Sequence, residues 1–365
     1  MRVVACCVAV VMAGCADGES GSDAAVRRDG GGMDASIGVD VPSTLVDVVA
    51  SERAVADAQC AAPPTMMATV DRRPVDIIML IDSSDSMRAA RAGIAAVING
   101  DLLMPLEAAM VDYKLIILTQ GLTLAPAILM NPKVQVLNVG SGSGQALTTL
   151  LGAMPMVIPS LRMTSYKMFV HATDASSGQG AGAGTGFDSN LLMMYPAQFG
   201  TAAMRNYSFH SLAGFGANMP ANVPWPPAAP LIATRCNAPG LSVGTGVGFQ
   251  ELAKLSGGLR YPVCDYAGYT NVFSAIADGS VRVSRIPCSF AYPLPMGAEY
   301  QLRMRVTTSD GMMRTYDQAR DMADCGAMRG FYRNGARVEL CADVCGIVQM
   351  DLMARIEWLP FCGPG

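Results

Sequence analysis

The run Val75-Asp76-Ile77-Ile78-Met79-Leu80-Ile81 is the feature that most restricts how this chain can fold. It has the length of a strand, and its apolar residues at consecutive positions indicate that both faces of that strand are covered. Such strands are typical of parallel sheets that carry helices on both sides. The next residues, Asp82 to Ser86, are small and polar, so the strand is predicted to end at Ile81.

The segments that follow alternate between strand-like and helix-like patterns. Further strands are predicted at Tyr113 to Leu118, Val134 to Val139, Met168 to Ala172 and Tyr207 to Ala213. Helices are predicted at Ser86 to Met110, Ala146 to Met154, Asn190 to Tyr195 and Gly248 to Leu255, with a flexible loop at Gly178 to Gly186. This alternation predicts an α/β domain over residues 72–285, built on a doubly wound, mostly parallel sheet.

After about Arg285 the helical pattern gives way to short alternating runs such as Tyr300 to Val306 and Arg337 to Leu340. Residues 286–365 are therefore predicted to form a small, β-rich C-terminal module that contains most of the cysteines. Eight cysteines follow residue 15, and they are Cys60, Cys236, Cys264, Cys288, Cys325, Cys341, Cys345 and Cys362.

An even number of cysteines in an exported chain predicts up to four disulfides. If Cys236 pairs with Cys264 inside the α/β domain, five cysteines remain in the module, and Cys60 must join one of them; other connectivities stay open. Zinc is the competing explanation. However, Cys341 and Cys345 are separated by three residues instead of two, and the chain has only two histidines.

Residues 1–14 have the pattern of a secretory signal: Arg2, an apolar stretch from Val3 to Met12, and small residues before Cys15. The ending Met12-Ala13-Gly14-Cys15 resembles the bacterial lipobox. This resemblance implies a lipid on Cys15 and a cell-envelope location, with the outer membrane or cell surface favoured over the inner membrane. Ordinary secretion and an uncleaved signal anchor are alternatives, and both also place the protein outside the cytoplasm. Residues 15–60, rich in Gly, Ser, Ala and Asp, are predicted to be a flexible acidic linker.

Oxygen donors follow two of the predicted strands. Asp82, Ser84 and Ser86 come directly after the first strand, and Asp174 follows the strand Met168 to Ala172. Because ligands of open parallel sheets bind beyond the carboxyl ends of the strands, we expect these side chains to meet there. Carboxylates and hydroxyls are hard donors that suit Mg²⁺, Mn²⁺ or Ca²⁺. The alternative is that Asp82 to Ser86 only caps the following helix.

These segments resemble motifs of the von Willebrand factor A (VWA) family and its metal-ion-dependent adhesion site. Asp-Ile-Ile-Met-Leu-Ile-Asp-x-Ser-x-Ser-Met (Asp76 to Met87) is similar to the family's first motif, and Phe169 to Asp174 to its last. Gly248 to Gly258 is similar to the family's closing helix and turn. The resemblance covers residues 72–285. It implies that Ser84 and Ser86 ligate the metal, that Asp82 and Asp174 act directly or through water, and that an acidic side chain of a protein partner completes the coordination.

The sequence departs from the family pattern in the loop that usually supplies a threonine. Here the loop is Gly140 to Gly144, and Ser143 or the later Thr148 or Thr149 would have to provide the hydroxyl. Asp85 stands where the family more often has glycine, and it adds an acid that would either attract a cation or cap the helix.

Other classes of protein fit less well. A net charge of −4 with no Lys/Arg cluster argues against nucleic acid as a partner. A phosphatase of the haloacid dehalogenase type needs a second Asp where this chain has Ser84. The run Gly140 to Gly144 has glycine where a Gly-x-Ser-x-Gly elbow has its nucleophilic serine. His171 and His210 lie inside predicted strands and are expected to be packed or hydrogen-bonded, and most of the methionines are expected to fill the core.

The expectation is therefore a non-enzymatic envelope lipoprotein. Its VWA domain would bind an acidic group on a protein partner in a cation-dependent manner. A metal-free structural or scaffold protein is the second hypothesis, and an unrecognised hydrolase is the remote one.

Overall fold

The computed structural model describes residues 69–70, 72–142, 144–175, 180–239, 241, 244–291 and 301–361. The predicted signal 1–14, the linker 15–60 with Cys15 and Cys60, and also Ser143 and Cys362, lie outside the described residues.

The strands and helices below are numbered in chain order. The strands are β1 Thr69–Val70, β2 Val75–Ile81, β3 Tyr113–Thr119, β4 Val134–Asn138, β5 Tyr166–Ala172, β6 Tyr207–Ala213, β7 Arg260–Pro262, β8 Ser289–Ala291, β9 Gln301–Thr307, β10 Met313–Ala319, β11 Arg329–Asn334, β12 Arg337–Leu340 and β13 Arg355–Phe361. The α-helices are α1 Arg88–Val97, α2 Met104–Ala108, α3 Pro126–Leu129, α4 Ala146–Val157, α5 Ala183–Met194, α6 Pro196–Phe199, α7 Val247–Ser256, α8 Tyr269–Ser284 and α9 Ala342–Met350.

Six strands form a sheet in the order β4-β3-β2-β5-β6-β7, and every neighbouring pair is parallel. Strand β2 lies inside the sheet, and all seven of its residues are buried. The predicted α/β class with a parallel sheet is confirmed. The chain adds strands to one side of β2 up to β4 and then crosses to the other side at β5. The order of the strands therefore reverses between β2 and β5.

Helices cover both faces of this sheet, because alternate residues of a strand point in opposite directions. Ile77, Met79 and Ile81 belong to a core formed with α1, α2 and α8. Ile78 and Leu80 belong to the opposite core, formed with α4, α5 and α7. The near-continuous apolar run of β2 is thus explained by burial on both sides.

The predicted helix after β2 is continuous but irregular. A 3-10 turn at Asp85–Met87 leads into α1, and a π-helical segment at Ile98–Leu103 joins α1 to α2. By length and composition alone the stretch Asp85–Ala108 is apolar enough to cross a membrane. However, Ile94 and Ile98 are fully buried in the core beneath the sheet. This burial identifies the stretch as a core helix of the α/β domain.

The structure differs from the predicted helices in two places. Helix α5 begins at Ala183 instead of Asn190, so part of the predicted glycine-rich loop is helical. The reason is close packing: a Cβ atom at Gly184 would lie 2.2 Å from the carbonyl oxygen of Gly248 in α7, so only glycine permits this approach. Helix α8, which has sixteen residues, was not predicted at all.

Seven strands form a second, mixed sheet in the order β1-β13-β9-β10-β11-β12-β8. Only the β10–β11 pair is parallel. Its core contains Trp358, whose ring meets that of Phe331 edge to face. The short strand β1 precedes the α/β domain in the chain but pairs with β13, so the second sheet includes residues from both ends of the described chain.

Three disulfides occur among the described residues. Cys236 pairs with Cys264 in the part of the chain that forms the parallel sheet, as predicted. In the C-terminal module, Cys288 pairs with Cys345, and Cys325 with Cys341. The predicted disulfide-containing, β-rich module is therefore confirmed, with α9 as an additional helix.

Candidate functional site

The predicted acidic residues follow two adjacent strands in the centre of the parallel sheet. Asp82 directly follows β2, and its backbone N–H donates to the carbonyl oxygen of Ala172 at the end of β5. Asp174 lies two residues beyond Ala172 and is 1% exposed. The strand order reverses at this pair of strands, and loops that diverge at such a point leave a crevice for ligands.

The carboxylate of Asp82 is completely buried and organises the turn that follows it. Its Oδ1 accepts a hydrogen bond from the backbone N–H of Ser84 at 2.8 Å. Its Oδ2 accepts one from the hydroxyl of Thr173 at 2.7 Å. The first bond forms a tight side-chain-to-backbone turn typical of aspartate, and the second ties the turn to the end of β5.

The two serines of the predicted ligand set lie side by side. The Oγ atoms of Ser84 and Ser86 are 3.1 Å apart, and both residues are partly exposed. Ser84 stands at the helix N-cap position but makes no side-chain cap hydrogen bond. The turn is held from behind by Arg91, whose Nη1 donates to the carbonyl oxygen of Ser84 at 2.8 Å. The Ser84 hydroxyl is therefore not used to cap the helix.

Asp85 and Asp174 differ in their surroundings. The side chain of Asp85 is 93% exposed and pairs with Arg88 at 3.1 Å, an exposed contact that adds little stability. Asp174 is buried, and its backbone oxygen accepts from the N–H of Gly244 at 2.8 Å. Burial raises the pKa of the Tyr266 phenol, and the charge of Asp174 acts in the same direction.

A hydroxyl next to the turn was not selected from the sequence. Ser83 donates to the carbonyl oxygen of Ser141 from both its N–H and its Oγ, each at 3.1 Å. Ser141 itself is fully buried, and its Oγ has no hydrogen-bond partner in the protein. Thr148, one of the hydroxyls considered from the sequence, is exposed on α4. Ser141 was part of the glycine-rich loop already noted, but only the fold brings it beside Ser83.

Several buried polar groups without a partner lie at or near this edge of the sheet. Apart from guanidinium Nε atoms, the unpartnered buried side-chain atoms among the described residues belong to Thr119, Ser141, His171, Ser211 and Tyr266. Each of the five lies in the second half of a parallel strand or in a segment that follows one. Buried polar groups are normally hydrogen-bonded, so a group of exceptions points to something that the protein binds, such as an ion, water or a ligand.

The two histidines are packed, as predicted. Burial lowers the pKa of His171 to about 4, although the charge of Asp82 acts in the opposite direction. The ring of His171 lies 4.4 Å from that of Phe249, centroid to centroid. Burial also lowers the pKa of His210 to about 4, and its Nδ1 accepts from the N–H of Leu259 at 3.1 Å. Both rings are therefore neutral at pH 7.

The residues at this edge match the donor chemistry of a hard cation. Their oxygens come from carboxylates and hydroxyls, which Mg²⁺ and Ca²⁺ prefer. In the part of the chain that the structure describes, no group of three or more His, Cys, Asp or Glu side chains is placed to hold a metal ion. The predicted ligands are two carboxylates and two serine hydroxyls. A site of this kind does not require three His, Cys, Asp or Glu side chains.

No protein-family model matches the chain, and its sequence matches no curated protein.

Proposed function

We propose that this protein is a cell-envelope lipoprotein whose α/β domain is of the VWA type and binds a protein partner in a cation-dependent, non-enzymatic manner. The observation that carries the proposal is the set of buried, unpartnered polar groups that, among the described residues, lie in the second half of a parallel strand or in a segment that follows one, as Asp82 and Asp174 do. Two neighbouring strands supply the acids, and the loops around them supply the hydroxyls.

The residues that would hold the cation are Asp82, Ser84, Ser86 and Asp174. Ser141 is the hydroxyl that we assign to the third loop, in place of Ser143 or Thr148, because its unpartnered Oγ belongs to the residue that contacts Ser83. A bound Mg²⁺, Mn²⁺ or Ca²⁺ would supply positive charge for an acidic side chain of the partner.

The protein's own contribution is to hold these oxygens in place. The bond from Thr173 fixes one oxygen of the Asp82 carboxylate, and Arg91 fixes the carbonyl of Ser84 behind the hydroxyls. The exposed rim carries Asp85, which would repel an acidic partner.

Calorimetric titration with Mg²⁺, Mn²⁺ and Ca²⁺ tests the site. The variant Asp82→Asn keeps the shape of the side chain but removes its charge, and we expect it to abolish binding. Asp85→Asn makes the same change three residues away on an exposed side chain and is the matched control, with binding expected to persist. Equal binding by the wild type and Asp82→Asn, or no binding by the wild type, would contradict the metal site.

The role of Ser141 has a separate test. Ser141→Ala removes the unpartnered hydroxyl with little change of volume and is expected to weaken cation binding about tenfold without lowering the Tm. Thr148→Ala removes an exposed hydroxyl nearby and is expected to have no effect. If Thr148→Ala weakens binding and Ser141→Ala does not, the assignment of the third-loop hydroxyl is wrong.

A metal-free structural or scaffold protein is the second candidate. The observation in its favour is that both oxygens of Asp82 already accept hydrogen bonds within the protein. The Asp82 carboxylate therefore has hydrogen-bond partners on both oxygens without a cation. Capture of envelope proteins on immobilised protein, with and without EDTA, separates the candidates, because partner binding that persists in EDTA supports the scaffold.

The envelope location rests on the predicted lipobox and on the disulfides. Three disulfides among the described residues fit an oxidising compartment. The substitution Cys15→Ser is expected to release the protein from the membrane fraction. Retention of that variant in the membrane would contradict lipid anchoring and support an uncleaved signal anchor.

A further inference from the structure

Methionine dominates the exposed apolar surface of this protein. Among the described residues, fifteen of the twenty large hydrophobic side chains that are exposed belong to methionine, and the other five are leucine or valine. The most exposed are Met219 at 89%, Met130 at 81% and Met350 at 77%. No phenylalanine or isoleucine of the described chain belongs to this group.

The expectation that methionines fill the core is therefore wrong for most of them. Only five methionines of the described residues are buried, namely Met79, Met87, Met154, Met168 and Met304. The cores are built chiefly from leucine, isoleucine, valine and aromatic side chains. Methionine is thus placed outside while residues of similar size and hydrophobicity are placed inside, so hydrophobicity does not explain its position.

The exposed methionines are spread over both parts of the described chain. Nine lie in the part that forms the parallel sheet, and six lie in the C-terminal module, among them Met322 and Met328. A single docking surface would gather such side chains on one face. These side chains share a thioether group, which oxidants convert to a sulfoxide.

We propose that the exposed methionines act as sacrificial reductants that consume hypohalous acids before these oxidants reach the core. In the reaction with hypochlorous acid, the sulfur gives up two electrons and gains the oxygen atom. The chlorine leaves as chloride, and one proton is released, so that a sulfoxide and hydrochloric acid are formed. Each exposed thioether consumes one equivalent of oxidant.

The distribution of sulfur in the protein supports this role. All six cysteines of the described chain are in disulfides, so the thioethers are its reduced sulfur. A sulfoxide is polar and disrupts a core but is tolerated in water. Met87 is fully buried and directly follows the turn Asp82 to Ser86. Its oxidation would therefore place a polar sulfoxide in the core next to the candidate site.

Titration of the whole protein with hypochlorous acid, followed by peptide mass mapping and a Tm measurement, tests the proposal. We expect the exposed methionines to be converted first, with Met87 intact and the Tm unchanged until they are consumed. Early oxidation of Met87, or a fall of the Tm that keeps pace with the first sulfoxides, would overturn the proposal.

Two sets of variants make the test quantitative. Substitution by leucine at the six most exposed positions removes six of the fifteen thioethers, at Met130, Met193, Met219, Met322, Met328 and Met350. The dose of oxidant that half-oxidises Met87 should fall by about 40%, the share of thioethers removed. The opposite set, Leu129→Met, Leu231→Met and Leu255→Met, adds thioethers at exposed positions and should raise that dose. An unchanged dose in either set, with the starting Tm preserved, would refute protection.

Discussion

The two histidines predict a loss of stability in weakly acidic solution. They are the only histidines of the chain, both are buried, and burial lowers the pKa of each to about 4 from an ordinary value of 6.5. A group whose pKa is lowered by folding binds its proton more readily in the unfolded state. Stability is therefore complete above pH 6.5 and falls as the pH decreases from 6.5 toward 4.

The size of the effect follows from the two pKa values. Once the unfolded histidine is protonated and the folded one is not, stability changes by about 1.4 kcal/mol per pH unit. Between pH 7.5 and pH 5.0 each histidine should lower the free energy of unfolding by about 2 kcal/mol, and the pair by about 4 kcal/mol. A folded domain typically has a free energy of unfolding of roughly 5–15 kcal/mol, so protonation of the two histidines should remove a large part of it.

Other groups with shifted pKa values titrate outside this range. Asp310, Asp324 and Asp351 have pKa values below 3.8, held down by hydrogen bonds from backbone N–H groups and side chains. Burial lowers the pKa of Lys167 to about 8, which lies above the range. Among the described residues, a change between pH 7.5 and 5.0 is thus assigned to the histidines.

Urea denaturation at several pH values between 7.5 and 5.0 measures the effect. His210→Asn keeps an acceptor for the N–H of Leu259, and His171→Phe fits the ring beside Phe249; each should halve the pH dependence. The double variant should show almost none. The reasoning is refuted if the wild type is equally stable at both ends of the range, or if the double variant keeps the full dependence.

Three further predictions concern the framework. Gly258→Ala places a Cβ 1.8 Å from a carbonyl oxygen of β6, and chemical denaturation should show a loss of more than about 3 kcal/mol; a loss below 1 kcal/mol would contradict this packing. Arg162→Ala leaves the buried carboxylate of Asp76 without its ion pair and should cost about 3 kcal/mol in the same assay, whereas a neutral effect would show that the remaining donors suffice. Peptide mapping without reduction should join Cys60 to Cys362, because the other six cysteines that follow residue 15 are already paired, and free thiols at both positions would rule out that bond.

Most of the parallel sheet could be predicted from local patterns. Strands β2, β3, β5 and β6 differ from their predicted bounds by two residues at most. The strands β2, β3 and β5 contain compact apolar runs, whereas polar residues interrupt the apolar ones in β6. The sequence predicted a doubly wound parallel sheet but did not predict the order of its strands. Such a prediction works when burial on both faces leaves a signal in consecutive residues.

The helices show where local patterns fail. The start of α5 is rich in glycine, which disfavours helix formation by about 1 kcal/mol per residue. The structure uses that glycine for contact: Gly184 lies where the backbone of α7 passes too closely for any side chain. Tertiary packing thus determines the helix in spite of its composition, and this information is absent from the segment itself.

The same distinction applies to the candidate site. The sequence could indicate Asp82, Ser84, Ser86 and Asp174, because the first three residues closely follow the buried strand β2 and the fourth closely follows the buried strand β5. The remaining groups are contributed by separate loops.

Ser141 lies in the loop after β4 and Tyr266 in the segment after β7, and nothing in their sequence neighbourhoods distinguishes them from other residues of these loops. What distinguishes them is a property of the folded protein, a buried polar atom with no partner. Such an atom costs free energy unless something binds it. The sequence motif and the unpartnered atoms are therefore independent signals, one from the chain and one from the fold. They meet at Ser141, whose carbonyl oxygen accepts from Ser83 in the turn that follows β2, and this contact is the reason for proposing a binding site there.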